Sequence, residues 1–329
     1  MGDYMCTAVT YKTDKFYFGR TLDNEFSFGE KVTVTPRKYS FEFTNGRKLN
    51  SHYAIIGMAY VCNNYPLYFD AMNEKGLCMA GLNFVGNAFF GKEKDGCDNI
   101  AVYEFIPWIL SQCENVNDAM YLLEKINLID KPFSNELPTA QLHWILSDKN
   151  RSITIESMQD GLHIHNNHVG VLSNNPPFEY QMQHLNNFMH LSARNPENHF
   201  ASDIDFEVYS KGMGAIGLPG DWSSQSRFVR ACFVKMNSVK EKDEMSAVNQ
   251  FFHIMGSVNQ VKGCALTDDG SEYTVYTSCM NADKGIYYFN TYTNHAVSAV
   301  DIHNEDLDSD TLKSYNLNID EKVYFHGVV

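Results

Sequence analysis

Short runs rich in β-branched and aromatic residues, bounded by Gly, Asn, Asp or Lys, dominate the hydrophobic pattern along this chain. They predict strands at Thr7–Tyr11, Phe16–Phe18, Lys31–Thr35, Tyr53–Gly57, Leu77–Leu82, Leu142–Ser147, Ser152–Glu156, Val169–Leu172, Tyr273–Thr277, Ile286–Thr291 and Ala296–Ile302. Asp148-Lys149-Asn150 and Asp268-Asp269-Gly270 have the small polar residues of tight hairpin turns. Apolar residues at three- and four-residue spacing predict helices over Ala101–Cys113 and Asp118–Ile126, with Asn99 and Asn117 available as caps. Further helices are expected at Tyr180–Leu191 after Pro176-Pro177, at Ser224–Met236 behind a Ser-Ser pair, and at Asp243–Met255. The helices are grouped between strand runs and do not follow each strand in turn. That order predicts an α+β fold, not a doubly wound parallel sheet.

No linker, composition shift or internal repeat divides the 329 residues, so a single domain is expected. The net charge of −14 changes the functional picture more than the length does. Neutralising phosphates needs a basic surface, so nucleic acid and anionic membrane surfaces are poor partners. No run approaches the roughly 18–20 apolar residues of a membrane span. The N-terminus lacks a basic segment followed by an apolar core. Eight scattered cysteines without a C-x-x-C pair read as free thiols in a cytoplasmic protein.

Two motifs invite chemistry and have plainer readings. Gly212-Met213-Gly214-Ala215-Ile216-Gly217 matches a dinucleotide-binding pattern, but Leu218-Pro219-Gly220 follows where a helix must begin. It reads as a glycine-rich loop. His163 and His165 share one face of a strand, yet no nearby carboxylate or cysteine in the sequence completes a metal-ligand set. Neither a metal nor an organic cofactor is expected.

Cys6 is different. If residues 1–5 are removed, its thiol shares a residue with a free α-amine of pKa near ~7.7–8.0. Such an amine can accept the thiol proton, uniting nucleophile and base in one residue. Arg20 and Asp23, in Phe18-Gly19-Arg20-Thr21-Leu22-Asp23, follow a short hairpin that starts at Cys6 and can return toward it. From the residues alone, a turn arginine and a turn aspartate on the surface are the favoured reading of both.

Motifs across the chain from Cys6 resemble the choloylglycine hydrolase family, a branch of the N-terminal nucleophile hydrolases that includes bile salt hydrolases and penicillin V acylases. The resemblance is carried by Met5-Cys6-Thr7, GRTLDNEFSFGEKVTVTPR from Gly19 to Arg37, NEKGLCMAGLNF at 73–84, LHWILSD at 142–148, LSNNPPFEYQ at 172–181 and GLPGDWSSQSRFVRA at 217–231. It implies a four-layer αββα sandwich of two antiparallel sheets flanked by helices, and a homotetramer. Residue by residue, it implies that Cys6 is the nucleophile and Arg20 the cation beside it. Asp23 is then the carboxylate near the α-amine and Asn83 a polar group beside the oxyanion hole. Asn174 is the asparagine of the turn before the prolines, ahead of Asn175, and Arg227 an electrostatic stabiliser.

Asn83 and the Leu218-to-Ser224 run look more like the bile salt branch than the penicillin V branch, which tends to carry Tyr at the position of Asn83. A conjugated bile acid also suits a wide apolar slot, for which Phe26, Phe28, Tyr60, Phe69, Phe133 and Ser134 are available. The implied activity is hydrolysis of the amide of glycine- or taurine-conjugated bile acids through a Cys6 thioester. Penicillin V or another N-acyl amide is the alternative substrate. The family chain begins Met-Cys, whereas Gly2-Asp3-Tyr4-Met5 intervenes here. Activity therefore implies an extension, 1–5, that leaves, followed by one catalytic domain, 6–329. With 1–5 retained, the chain would be a ligand-binding protein without turnover.

Overall fold

The computed structural model describes residues 5–268 and 270–327. Residues 1–4 of the extension and Asp269 at the tip of a predicted hairpin lie outside the described residues. Two antiparallel sheets form the body. In chain order their strands are β1 Cys6–Lys12, β2 Phe16–Asn24, β3 Lys31–Thr35, β4 Ile55–Cys62, β5 Tyr65–Asn73, β6 Cys78–Asn83 and β7 Leu142–Ser147. There follow β8 Ser152–Met158, β9 Gly161–Asn166, β10 Val171–Leu172, β11 Tyr273–Asn281, β12 Ile286–Thr291, β13 Asn294–Asp301 and β14 Lys313–Asn316. The first sheet runs β10-β1-β2-β11-β12-β13 and the second β9-β8-β7-β6-β5-β4-β3-β14.

Helices cover the outer faces. These are α1 Phe105–Leu110, α2 Val116–Leu123, α3 Phe178–Leu185, α4 Ser224–Asn237 and α5 Glu244–Gly256. α4 packs on β1 and β10, α5 on β11 and β2, and α1 on β5 and β6 of the other sheet. The order helix, sheet, sheet, helix is the αββα sandwich. Each sheet is thus buried on both faces, which is why its central strands read as continuous apolar runs and not as alternation. On β6, Cys78, Ala80 and Leu82 enter the cluster between the sheets, whereas Met79 joins Phe105 and Trp108 beneath α1. All nine residues of β2 are buried. Gly19 is required there: a Cβ would lie 2.0 Å from the Ser278 carbonyl oxygen on β11.

The predicted helices shorten where strands claim their ends. Ala101–Cys113 resolves into a strand end at Ala101, a 3-10 turn Val102–Glu104, then α1, with Ser111 at its C-cap. Asp118–Ile126 overlaps α2, but the cap is Asn115, whose side chain accepts from Asp118 N. Asn117 lies inside the helix, and Asn99 lies on the strand Asp98–Ala101, which pairs in parallel with Ile126–Ile129. Tyr180–Leu191 ends as a helix at Leu185 and continues as the 3-10 turn Asn186–Phe188. The strand β5 has no counterpart in the predicted set; charged and polar residues interrupt its apolar run. Gly212–Gly217 is a loop around the short 3-10 turn Met213–Ala215. Among the described residues, no helix is long and apolar enough to cross a membrane.

Candidate active site

Cys6 opens β1 and pairs with Leu22 of β2, while Ala8 pairs with Arg20. Paired residues share a face, so Cys6 and Arg20 are diagonal neighbours on the side turned toward the second sheet. Arg20 is buried and donates through Nη2 to Cys6 Sγ at 2.5 Å. The rest of its fork is fixed by backbone: Nε donates to Thr21 O at 3.0 Å and Nη1 to Gly81 O at 2.6 Å. One guanidinium therefore ties the thiol to β6. Beneath it, Asp70 of β5 accepts from Tyr276 and Tyr287 hydroxyls, each at 2.6 Å, across the two sheets.

The intervening residues of β1 and β2 face the helices. Thr7 pairs with Thr21, and Asp23 lies opposite Thr274 of β11, just before a bulge between Thr274 and Tyr276. Asp23 accepts from Thr274 Oγ1 at 2.6 Å and from Thr21 Oγ1 at 3.1 Å. α4 begins at an Ser223 N-cap that accepts from Ser226 N, which places Arg227 in the first turns. Arg227 donates through Nη1 to Cys6 O and Thr7 Oγ1, both at 2.6 Å, and through Nη2 to Asn174 Oδ1 at 2.8 Å.

Asn174 joins the two halves of the site. Its Oδ1 accepts from Cys6 N at 2.7 Å, and its Nδ2 donates to Asn83 O at 2.9 Å. Asn83 ends β6 opposite Leu142, and its own side-chain amide makes no hydrogen bond among the described residues. Asn175 turns away, donating to Val85 O at 2.8 Å. Thus Cys6, Arg20, Asp23, Asn174 and Arg227 converge directly, whereas Asn83 reaches the group through its backbone.

Charge and burial act in opposition here. Burial pushes the Cys6 thiol up; Arg20 is the chief influence pulling it down, and Asp23 pushes it up again. Burial also raises Asp23, to about 6, against the pull of Arg227 and the Thr274 hydrogen bond. Burial lowers Arg227, which Asp23 and Cys6 partly offset. Glu272, which the sequence reading did not single out, is buried beside these groups and accepts from Met5 N. Burial raises it to about 7 despite that hydrogen bond, with the neighbouring Asp23 adding to the rise. Thr274 falls in the predicted strand Tyr273–Thr277, but only its pairing with β2 brings it to Asp23, and Glu272 just precedes that strand.

The Phe28 ring lies tilted 5.5 Å from that of Phe69 and meets that of Phe26 edge-on at 5.0 Å. The Phe69 carbonyl accepts from Arg20, so this aromatic ledge adjoins the polar centre. Phe133 sits farther along, ring to ring with Tyr103 and Tyr65. His163 and His165 share a strand face as expected, but each is directed to a carboxylate: His163 to Asp160 at 2.8 Å, and His165 to Glu156 at 3.6 Å.

A buried thiol held by a guanidinium, with its own backbone nitrogen bound by an amide, is an arrangement for nucleophilic attack on a carbonyl. The family model for linear amide C–N hydrolases, choloylglycine hydrolase family, matches residues 6–315. A bile salt hydrolase/transferase of Lactiplantibacillus plantarum is 50% identical over 97% of this chain and 99% of its own length. One of Bifidobacterium longum is 38% identical over 94% of this chain and 99% of its own. Among solved structures, a conjugated bile acid hydrolase from Clostridium perfringens superposes with a TM-score of 0.90 at 34% identity, covering 98% of this chain and all (100%) of that one. A penicillin V acylase from Agrobacterium tumefaciens shares the fold, with a TM-score of 0.77 at 21% identity over 95% of this chain and 92% of that one. With the matched region reaching from the buried thiol of Cys6 to the last strand of the second sheet, the chain belongs to the choloylglycine hydrolase family of linear amide C–N hydrolases.

Proposed function

We propose that this protein hydrolyses the amide bond of glycine- or taurine-conjugated bile acids, with Cys6 as nucleophile. The observation that carries the reading is the convergence on one residue: Arg20 at its sulfur, Asn174 at its nitrogen and Arg227 at its carbonyl. The names of the relatives, at 50% and 38% identity, support the substrate class. So does the aromatic ledge of Phe26, Phe28 and Phe69, which suits a steroid skeleton.

The chemistry requires loss of residues 1–5, because the nitrogen of Cys6 is otherwise an amide and holds no basic lone pair. Once freed, the α-amine accepts the thiol proton while sulfur bonds to the substrate carbonyl carbon and the carbonyl electrons move to oxygen. Asn174 and Asn83 are the amide groups this reading assigns to the oxyanion. Asp23 stabilises the α-ammonium, and Arg20 and Arg227 stabilise negative charge on opposite sides of β1. The C–N bond then breaks, and the leaving amine takes the proton from the α-ammonium. Water attacks the thioester, giving the free bile acid and the thiol. Each step uses groups of this chain and water.

Two coarser features extend the proposal. Met189, Phe200, Phe206 and Tyr209 are exposed on the long segment between α3 and α4, an apolar surface suited to contacts within a homotetramer. All eight cysteines are free, which suits a reducing cytoplasm. Intact-mass measurement together with kcat/KM on glycocholate, taurocholate and penicillin V tests the reading. Loss of residues 1–5 with preference for the bile conjugates is expected. Preference for penicillin V would assign the other substrate class, and a retained extension without turnover would make the protein a binder.

A further inference from the structure

His143, on β7, is fully buried and lies outside the reacting group. Its Nδ1 meets Glu156 Oε1 at 3.0 Å and its Nε2 meets Ser173 O at 2.8 Å. Both partners are oxygens without a proton to give. Glu156 is held down to about 2: burial opposes its ionisation, but the hydrogen bonds from His143 and Phe178 N and the nearby His165 ring prevail. Each ring nitrogen thus faces an oxygen acceptor. The ring is fixed in a third direction by Phe84, stacked at 4.2 Å with planes 6° apart.

Two of these partners are chain neighbours of the proposed site, and the third holds the start of α3. Ser173 precedes Asn174, Phe84 follows Asn83, and Glu156 also accepts from Phe178 N at 3.0 Å, where α3 leaves the same turn. Glu156 and His143 thus hold the asparagine turn at both ends. The turn itself carries the amide that binds Cys6 N. Around the pair, His165 approaches the second Glu156 oxygen at 3.6 Å and Glu179 lies beyond it, also at 3.6 Å.

We propose that His143, braced by Glu156, is a positioning residue that sets Asn174 against Cys6 through its hydrogen bond to the Ser173 carbonyl. The inference rests on the hydrolytic reading for its kinetic consequence, but the placement of the turn can be measured without substrate.

Three substitutions separate the two bonds. The side-chain nitrogen of Gln reaches the place of histidine Nε2, and that of Asn the place of Nδ1. H143Q therefore keeps the Ser173 bond, H143N keeps the Glu156 bond, and H143L keeps neither. In the processed enzyme, kcat on the better bile conjugate should fall about 10- to 100-fold in H143N and H143L, as expected for a misplaced site group. KM should stay within about twofold, and H143Q should keep kcat within about threefold of the parent. Hydrogen exchange over residues 172–181 should follow the same split, with protection lost in H143N and H143L and kept in H143Q. Thermal denaturation of all three reports stability alone. If kcat and exchange follow Tm instead of the Ser173 bond, or if H143Q is as impaired as H143L, the proposal is overturned. If the parent turns over no bile conjugate, the functional reading fails, and the exchange pattern alone decides whether His143 positions the turn.

Discussion

Cys6 and Cys78 each open a strand, one in each sheet, and both are fully buried in the same core cluster. Burial raises both thiols. Their charged neighbours differ in sign. Cys78 is influenced by Asp148, Asp70 and Asp283, all pushing it further up, and its thiol donates to Gly76 O at 3.7 Å. Cys6 has Arg20 against its sulfur. The comparison separates two properties that burial alone would merge: every charged neighbour of Cys78 pushes its thiol further up, whereas at Cys6 a fixed cation opposes the burial.

Removing the sulfur breaks the comparison most directly. Cys6→Ala should reduce turnover by at least about 10³-fold with the circular dichroism spectrum unchanged. Cys78→Ala should leave kcat/KM within about twofold and lower stability by about 1–3 kcal/mol in denaturant titrations.

Arg20→Leu is next in size. Loss of the cation should lower kcat/KM by about 10²- to 10³-fold. It should also slow alkylation of Cys6 by iodoacetamide, followed by mass spectrometry. Arg20→Lys should recover little of either, because a single ammonium cannot reach Sγ, Thr21 O and Gly81 O together.

The smallest expected effect concerns pH and applies to the chain with Met5 in place. Asp23, pushed to about 6, and Glu272, pushed to about 7, both lie above their ordinary values of 3.8 and 4.5. Between those limits the folded state binds more protons than the unfolded state. These two groups therefore reduce stability as pH rises from about 4 to 7, and the reduction is complete above their folded values. Asp23→Asn, which loses its share of the effect, should gain Tm relative to the parent between pH 4 and pH 7 and gain nothing further above it. A constant difference across that range would show that Asp23 is not the group responsible.

Much of this architecture is legible in residue order. β1, β7 and β11 declare themselves through β-branched and aromatic runs, and α4 and α5 through caps and apolar spacing. β5 does not, because its buried positions carry Asp70, which meets Tyr276 and Tyr287 of the other sheet, and Tyr68, which meets Thr33 and Thr35 of β3. Position near the N-terminus singled out Cys6, and family motifs the other five candidates; local pattern left Arg20 and Asp23 as surface turn residues, and both are buried. Glu272, Thr274 and His143 have no local signal at all. Their partners lie far away in sequence: Thr274 Oγ1 meets Asp23 251 residues off, and His143 Nε2 meets Ser173 O 30 residues off. Only strand register and the bulge in β11 bring such pairs together.

The pleat of β1 has one last consequence. Because alternate positions face opposite layers, Arg20 reaches the sulfur from the space between the sheets, while Arg227 reaches the backbone from the helical layer. The strand thus works as a partition between two electrical compartments, with the Cys6 sulfur facing one and its backbone carbonyl bound from the other. The second sheet touches both compartments, at Gly81 through Arg20 and at Asn83 through Asn174, whereas Arg227 of α4 meets only the main-chain side. A protein with an overall charge of −14 can keep two positive sites this close because each has its own wall and its own acceptors.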